Sequence, residues 1–423
     1  VGAKVGSSLC AGNSMFANLG LITKLVQNIR YMQLNVSNDL ENAFKSWESD
    51  IFAWEIPGKL SSMSDSEDLP FVFARYDLDS RFLVNYWFTL VLTVIGFIVY
   101  GCLRVVKFFT EIRLKKYKLW GSIFDGMVTG VFNFALIQLY SSLGDIVFYS
   151  VLDLHFSKFS PKFSMISSLM AIVISIFGVC TLLGHFWVVY RYAKHKKMSE
   201  SALETFTKKF QLLKVLYDDY KDSGYLRHAY FAFLVTRSML ASLVFVVFYE
   251  QPLAQAVMLV VMNCLILSFL ILKGPFKGIY DELIQYFCEL IVFIVHFTVL
   301  LMAIADQKGD VAYNMRIRIG QCIILLNTFL FLGGLAFMCI EVYKRLVEIY
   351  EAWLEYRRNK RLVKRQSTPQ LLRAESQTGI QERTYNRAEM MQLFESGSTL
   401  NQETSMSPPR RILESPEINV VDF

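Results

Sequence analysis

Seven stretches of the chain are apolar for twenty residues or more and show no alternation of period two: 82 to 104, 120 to 142, 164 to 190, 228 to 249, 252 to 272, 283 to 305 and 318 to 342. A helix needs about 20 such residues to cross ~30 Å of hydrocarbon, and it satisfies its own backbone while doing so. These runs are too long for strands, so the pattern predicts an all-α, polytopic helical bundle. An eighth segment, 14 to 36, is ambiguous. Met15, Leu19, Ile22, Val26, Ile29 and Val36 lie near one helical face, while Asn18, Lys24, Asn28 and Arg30 interrupt the rest. Lys24 alone would cost a lone span ~2.5 to 3.5 kcal/mol, which favours an interfacial helix over a span shielded by its neighbours.

The polar stretches between these runs predict further elements. Residues 37 to 81 form an extracellular segment, and Asn35 opens a glycosylation sequon, Asn35-Val36-Ser37, whose closeness to an apolar segment argues against its use. Between 199 and 220, Ser201 to Glu204 reads as a capping box. Leu203, Phe206, Phe210, Leu213 and Tyr217 follow on one face with Lys208, Lys209 and Lys214 beside them. That predicts a helix against the inner leaflet or against other cytoplasmic helices. Residues 346 to 365 extend the last span as a basic helix, and 366 to 423 read as a disordered tail with candidate phosphorylation sites at Ser367, Ser407 and Ser415.

Composition removes the soluble alternative, because 54% hydrophobic against 19% charged residues cannot clothe a soluble surface of this size. The net charge of +6 lies in clusters beside the apolar runs and reports topology, not nucleic-acid binding. Arg104, Lys107, Arg113, Lys115, Lys116 and Lys118 mark one loop as cytoplasmic; alternation then puts RYAKHKKMSE, KGPFKG and RRNKRLVKR on the same side. The C-terminus is therefore expected in the cytoplasm, and the membrane is the plasma membrane or an endomembrane. Tyr86, Trp87, Trp120, Tyr140, Trp187 and Tyr190 stand near span ends as interface anchors. The chain opens on Val1 without a signal-peptide pattern, which suggests a fragment of a longer protein. Seven cysteines without CxxC spacing call for no disulfide, metal or cofactor, and no catalytic motif is present, so an enzyme is not expected.

Charges inside the runs carry the candidate chemistry. At 1.5 Å per residue, Arg237 lies ~13 Å and Glu289 ~10 Å from the cytoplasmic boundary, and opposite charges at one level predict a buried pair. Glu282, Gln285, Glu289 and His296 share a stripe, and Asp125, Thr129 and Asn133 share another with Ser122, Gly126 and Tyr140. Asn263 and Asn327 add a polar group to two further spans. These stripes either glue helices together or line a path for ions or a polar solute. His296 and His185 taken singly read as packed or interfacial. Lys273, Gly274, Pro275 and Lys277 form a cytoplasmic turn, since Pro275 stops the helix before it.

Two passages, NLGLITKLVQNIRYMQLNVSNDLENAFKSWESDIFAWEIP and LKGPFKGIYDELIQYFCEL, resemble the TRP-like multi-pass module of ciliate surface proteins with cysteine-rich repeats, and more distantly the fungal flavin-carrier group. The resemblance covers roughly 14 to 58 and 225 to 345; Gly274 stands where that family leads one to expect a bulkier or basic residue. It implies a true span at 14 to 36, hence about eight spans, preceded by another span and a large ectodomain. It also implies ion homeostasis, calcium above all, or transport of a small polar solute. The expected partners are the lipid bilayer, ions or a small polar solute, a homo-oligomeric copy, and cytoplasmic proteins through the tail; nucleic acid is not among them. The rivals are a seven-span receptor, against which stand the absence of D-R-Y at VVYRYAK and of N-P-x-x-Y, and an inert anchor for an ectodomain.

Overall fold

The structure, a computed structural model, describes residues 14–46, 69–113, 118–157, 162–218, 220–221, 224–307 and 314–344, with scattered positions to 358. The chain divides into two units, Val1–Leu354 and Glu355–Phe423. Of the second unit only Glu355, Arg357 and Arg358 are described, so Ser367, Ser407 and Ser415 lie outside the described residues.

Among the described residues every regular element is helical. We number the principal helices α1 (Ser14–Gln27), α2 (Phe82–Arg113), α3 (Lys118–Phe156), α4 (Lys162–Met198), α5 (Glu200–Lys209), α6 (Tyr230–Val247), α7 (Pro252–Lys273), α8 (Ile279–Gln307) and α9 (Asn314–Glu355). Seven of them, all but α1 and α5, are long and apolar enough to cross a membrane. The protein is thus an all-α, multi-pass integral membrane protein. α2 packs along α3, α3 along α6, and α7 along α8. The outward faces of α2, α4 and α9 leave Ile98, Phe177 and Phe331 exposed, as a lipid-facing surface requires.

Two helices outrun the sequence pattern. α3 has 39 residues and α4 has 37, so the stretch from 143 to 156, expected in an outer loop, is helical. Its polar residues disguised it. Leu143, Ile146, Phe148 and Leu152 are buried along the helix, while Asp145 among them and Asp153 just after them are held by other elements. Asp153 is fully buried; its Oδ2 accepts from the Phe82 backbone N–H at 2.8 Å and from the Ser167 hydroxyl at 2.6 Å, and its Oδ1 accepts from Ser168 at 2.6 Å. A carboxylate at the first turn of α2 satisfies an orphan N–H and the positive end of the helix dipole together.

α1 sits inside the bundle, against α3, α6 and α8. Its Leu21, Ile22, Leu25 and Val26 are buried, and Asn18 is only 1% exposed. It runs alongside α8: Asn18 bonds Gln285 near the start of α8, and the Asn35 N–H, beyond the following 3-10 turn Asn28–Tyr31, donates to Asp306 Oδ2 at 2.9 Å near its end. Lys24, the costly residue, donates to the Asp145 carboxylate and to the Ser141 carbonyl, so its neighbours shield the charge. Asn35 is exposed.

On the expected cytoplasmic side, α5 begins two residues earlier than its capping box suggested. Ser199, not Ser201, is the N-cap, with its hydroxyl accepting from the Ala202 N–H at 3.2 Å. The helix also stops at Lys209, because Phe210 leaves helical geometry and a 3-10 turn, Gln211–Leu216, follows. That break folds the aromatic face under the end of α4: Tyr217 lies 4.5 Å from Tyr192, and Phe206 lies 6.0 Å from it, between ring centroids.

The same segment clasps the α7–α8 turn. The Lys221 N–H donates to the Pro275 carbonyl at 2.6 Å, Tyr220 bridges Phe276, Lys277 reaches Asp218 at 3.4 Å, and Lys221 pairs with Glu282 at 2.7 Å. Gly274 ends α7 in the left-handed region (φ 45°), where a side chain would also run into the Glu282 carboxylate. That is why glycine, and not a bulkier residue, precedes Pro275. Gly144 has a different role, since it lets α3 approach Ser238 and Ser242 of α6. Gly144→Ala should therefore lower the thermal midpoint, by about 1–3 kcal/mol of overpacking, and adding Ser238→Gly should recover part of the loss. Thermal unfolding of the wild type, each single variant and the double variant in one detergent checks this, and equal midpoints would remove the close contact from the account.

Candidate functional site

The centre of the bundle holds opposite charges buried away from bulk solvent. The side chain of Arg237 on α6 is 3% exposed and that of Glu289 on α8 is fully buried. They meet in a two-point ion pair: Arg237 Nη1 donates to Glu289 Oε2, and Nη2 donates to Oε1 at 3.0 Å. Nη1 also donates to Asn263 Oδ1 on α7 at 3.2 Å. Gln285, one turn before Glu289, donates Nε2 to Glu289 Oε1 at 3.0 Å, and its Oε1 accepts from Asn18 Nδ2 on α1 at 3.3 Å. Four helices thus meet on one ion pair.

Local sequence sets this up simply. Gln285 and Glu289 are four residues apart and share a face of α8, so both point at α6 and α1. Arg237 follows an apolar start of α6 in which Phe231, Leu234 and Val235 are buried, so its guanidinium is directed into the bundle and not to the surface. Removing either partner of such a pair strands the other and costs about 3–5 kcal/mol.

The other sequence candidates fall in several places. Glu282 lies nearer the start of α8 and is engaged by Lys221. His296, buried two turns past Glu289, donates Nδ1–H to its own helix at the Val292 carbonyl, 2.8 Å away. Thr129 is half-buried and Asn133 buried on α3, and the hydrogen-bonded chain at Arg237 is built without them. The side chain of Asp125 lies outside the described residues. Lys273 is exposed at the turn. Among the described residues no three of His, Cys, Asp or Glu are grouped to hold a metal ion, and six cysteines are free thiols.

Sequence reasoning missed Asp145 as the partner of Lys24, and Asp153 as the cap of α2. The signal available for Asp145 was Lys24 itself, a charge within an apolar stretch that needs an anion in reach. Asn18 was visible only as an interruption, yet it ties α1 to the charge centre.

A second polar layer closes the other end. The Tyr31 ring lies tilted 4.7 Å from that of Phe148 and 6.1 Å from that of Phe73, while Arg30 and Arg75 lie over the Tyr76 ring at 5.6 and 4.8 Å. Arg75 also donates to the Arg30 carbonyl at 3.1 Å. This aromatic cap covers the top of α1 and seats the short helix Phe71–Ala74.

Comparisons with protein-family models, with curated proteins and with solved structures give no match to this chain.

A charge swap tests the centre directly. Arg237→Glu or Glu289→Arg alone should sharply reduce the yield of folded protein, whereas the double swap should restore part of it, because Asn263 and Gln285 can each turn their amides by 180° to serve the exchanged charges. Size-exclusion profiles of the three variants measure this, and strictly additive losses would mean that the residues act independently.

Proposed function

We propose that the chain is a channel- or transporter-like protein that moves ions or a small polar solute, and that the Arg237–Glu289 centre is the latch of a polar route closed in this conformation. The observation that carries this reading is a complete ion pair sealed inside a membrane bundle and reached by a polar helix, α1, through Asn18. Simple adhesion between helices does not call for it, since apolar side chains of similar volume often replace a buried ion pair without loss. Ionisable groups at this depth are a functional hypothesis by default. The stripe from Glu282 through Gln285 to Glu289 supplies polar groups from the turn region inward, with Lys221 at its mouth.

In this reading α1 and the 3-10 turn after it make an eighth crossing in the direction of α8, with the C-terminus cytoplasmic. Shifting α1 would part Asn18 from Gln285 and Lys24 from Asp145 together, which couples the N-terminal segment to the latch. The resemblance to TRP-like modules supports the same reading, including calcium among the candidate ions, and leaves room for a homo-oligomer and for partners of the tail.

Purified protein in voltage-clamped bilayers, paired with solute uptake into proteoliposomes, tests the proposal. Wild type should pass an ion or a small polar solute, and Glu289→Gln should change the rate several-fold. Silence of wild type toward sodium, potassium, calcium and neutral solutes alike would refute it. Epitopes placed within 1 to 13 and within 47 to 68 should appear on opposite faces of the membrane; the same face for both would abolish the eighth crossing.

A further inference from the structure

The hydrogen bonds around Arg237 run in a direction that charge alone dictates. A guanidinium only donates, so Asn263 must turn Oδ1 toward it; a carboxylate only accepts, so Gln285 must turn Nε2 toward Glu289. Gln285 Oε1 is then the atom that accepts from Asn18 Nδ2. The chain therefore ends on two fixed atoms, the donor Asn263 Nδ2 and the acceptor Asn18 Oδ1. Both residues are 1% exposed, and neither atom has a hydrogen-bond partner among the described residues.

His296 adds a third such atom. Its Nδ1–H is committed to the Val292 carbonyl, so Nε2 presents a lone pair, and this nitrogen too is buried without a partner among the described residues. The ring is on the stripe of Glu289, within electrostatic reach of Arg237. The fully buried Tyr230 hydroxyl is within electrostatic reach of Glu289 and Arg237 and has no hydrogen-bond partner among the described residues.

A buried polar atom left unsatisfied costs roughly 1–3 kcal/mol, so Asn263 Nδ2, Asn18 Oδ1 and His296 Nε2, on the network and its helix face, point to an occupant. Its chemistry follows from the lining. Arg237 and Glu289 cancel in charge, so a cation would meet a guanidinium and an anion a carboxylate with nothing left over to compensate either. Donors and acceptors are both on offer, which suits a neutral molecule able to do both, and water bound at two to four polar contacts fits that requirement in a small space.

We propose that the Arg237–Glu289 centre binds internal waters, to which Asn263 Nδ2 and the Tyr230 hydroxyl donate and from which Asn18 Oδ1 and His296 Nε2 accept, each from its own position along the centre. These waters extend the polar chain across α1, α6, α7 and α8. They let α1 break and remake contacts with the centre without leaving bare polar atoms in a dry core. This inference concerns what fills the centre and stands whether or not the bundle transports, so its readouts contain no flux.

The full chain in lipid nanodiscs, exposed to brief X-ray pulses, reports bound water through the hydroxyl radicals formed from it. Tyr230 should be labelled several-fold faster than Tyr86, which is also deeply buried but has its hydroxyl bonded to Ser142 at 2.9 Å. Equal rates overturn the proposal. In thermal unfolding, His296→Leu should lower the midpoint because a water loses an acceptor, and His296→Gln should regain part of it. A midpoint raised or unchanged in His296→Leu marks a dry nitrogen and overturns the proposal. Should His296→Leu fail to fold, the wild-type labelling decides alone. An organic solute retained in the native mass spectrum, with Tyr230 unlabelled, assigns the site to that solute and refutes water.

Discussion

Arg237 and Glu289 stand beyond the reach of bulk water and of lipid, and their charges are stable there because fixed groups on four helices hold them. That requirement organises the middle of the bundle. Asn263 brings in α7, Gln285 orients the carboxylate from its own helix, and Asn18 reaches Gln285 from α1. Each amide has one permitted orientation, so the network specifies a neighbourhood as well as supplying attraction. Apolar packing alone would specify it less sharply, since hydrophobic contacts are tolerant of sliding.

The same rule recurs at two other polar positions of the bundle. Lys24 meets Asp145, and Asp153 closes on two serine hydroxyls and the first N–H of α2. Each places a counter-charge or donors on a neighbouring element, which binds helices distant in sequence. α1 benefits most. It is too short and too polar to be stable alone in lipid, yet Asn18 and Lys24 both find partners, and the apolar residues between them pack on α3, α6 and α8.

The two ends of the bundle are closed by different chemistry. An aromatic layer with two arginines laid on tyrosine rings covers one end, while salt bridges and a backbone clasp tie the α7–α8 turn to the segment after α5 at the other. Glu282 links the clasp to the stripe that leads to Glu289, so the turn and the charge centre share one helix face. A movement that opened the clasp would be felt along α8, a rigid element of 29 residues.

Hydropathy runs are sums over neighbours in the chain, so the all-α, multi-pass character was determined locally and could be read directly from residues. Equal depth of Arg237 and Glu289 was legible for the same reason, because rise per residue is fixed in a helix. The turn at Pro275 was legible, but its reason for glycine was not, since that depends on a carboxylate eight residues on and a lysine from another loop. Only the tertiary structure decided that α1 lies inside, that Asp145 answers Lys24, that α3 continues through Asp153, and that Asn18 completes the chain at Gln285. Those outcomes turn on which helices become neighbours. A polar residue's cost in a membrane is set by the partner it meets across that interface, and no local pattern carries that partner's identity.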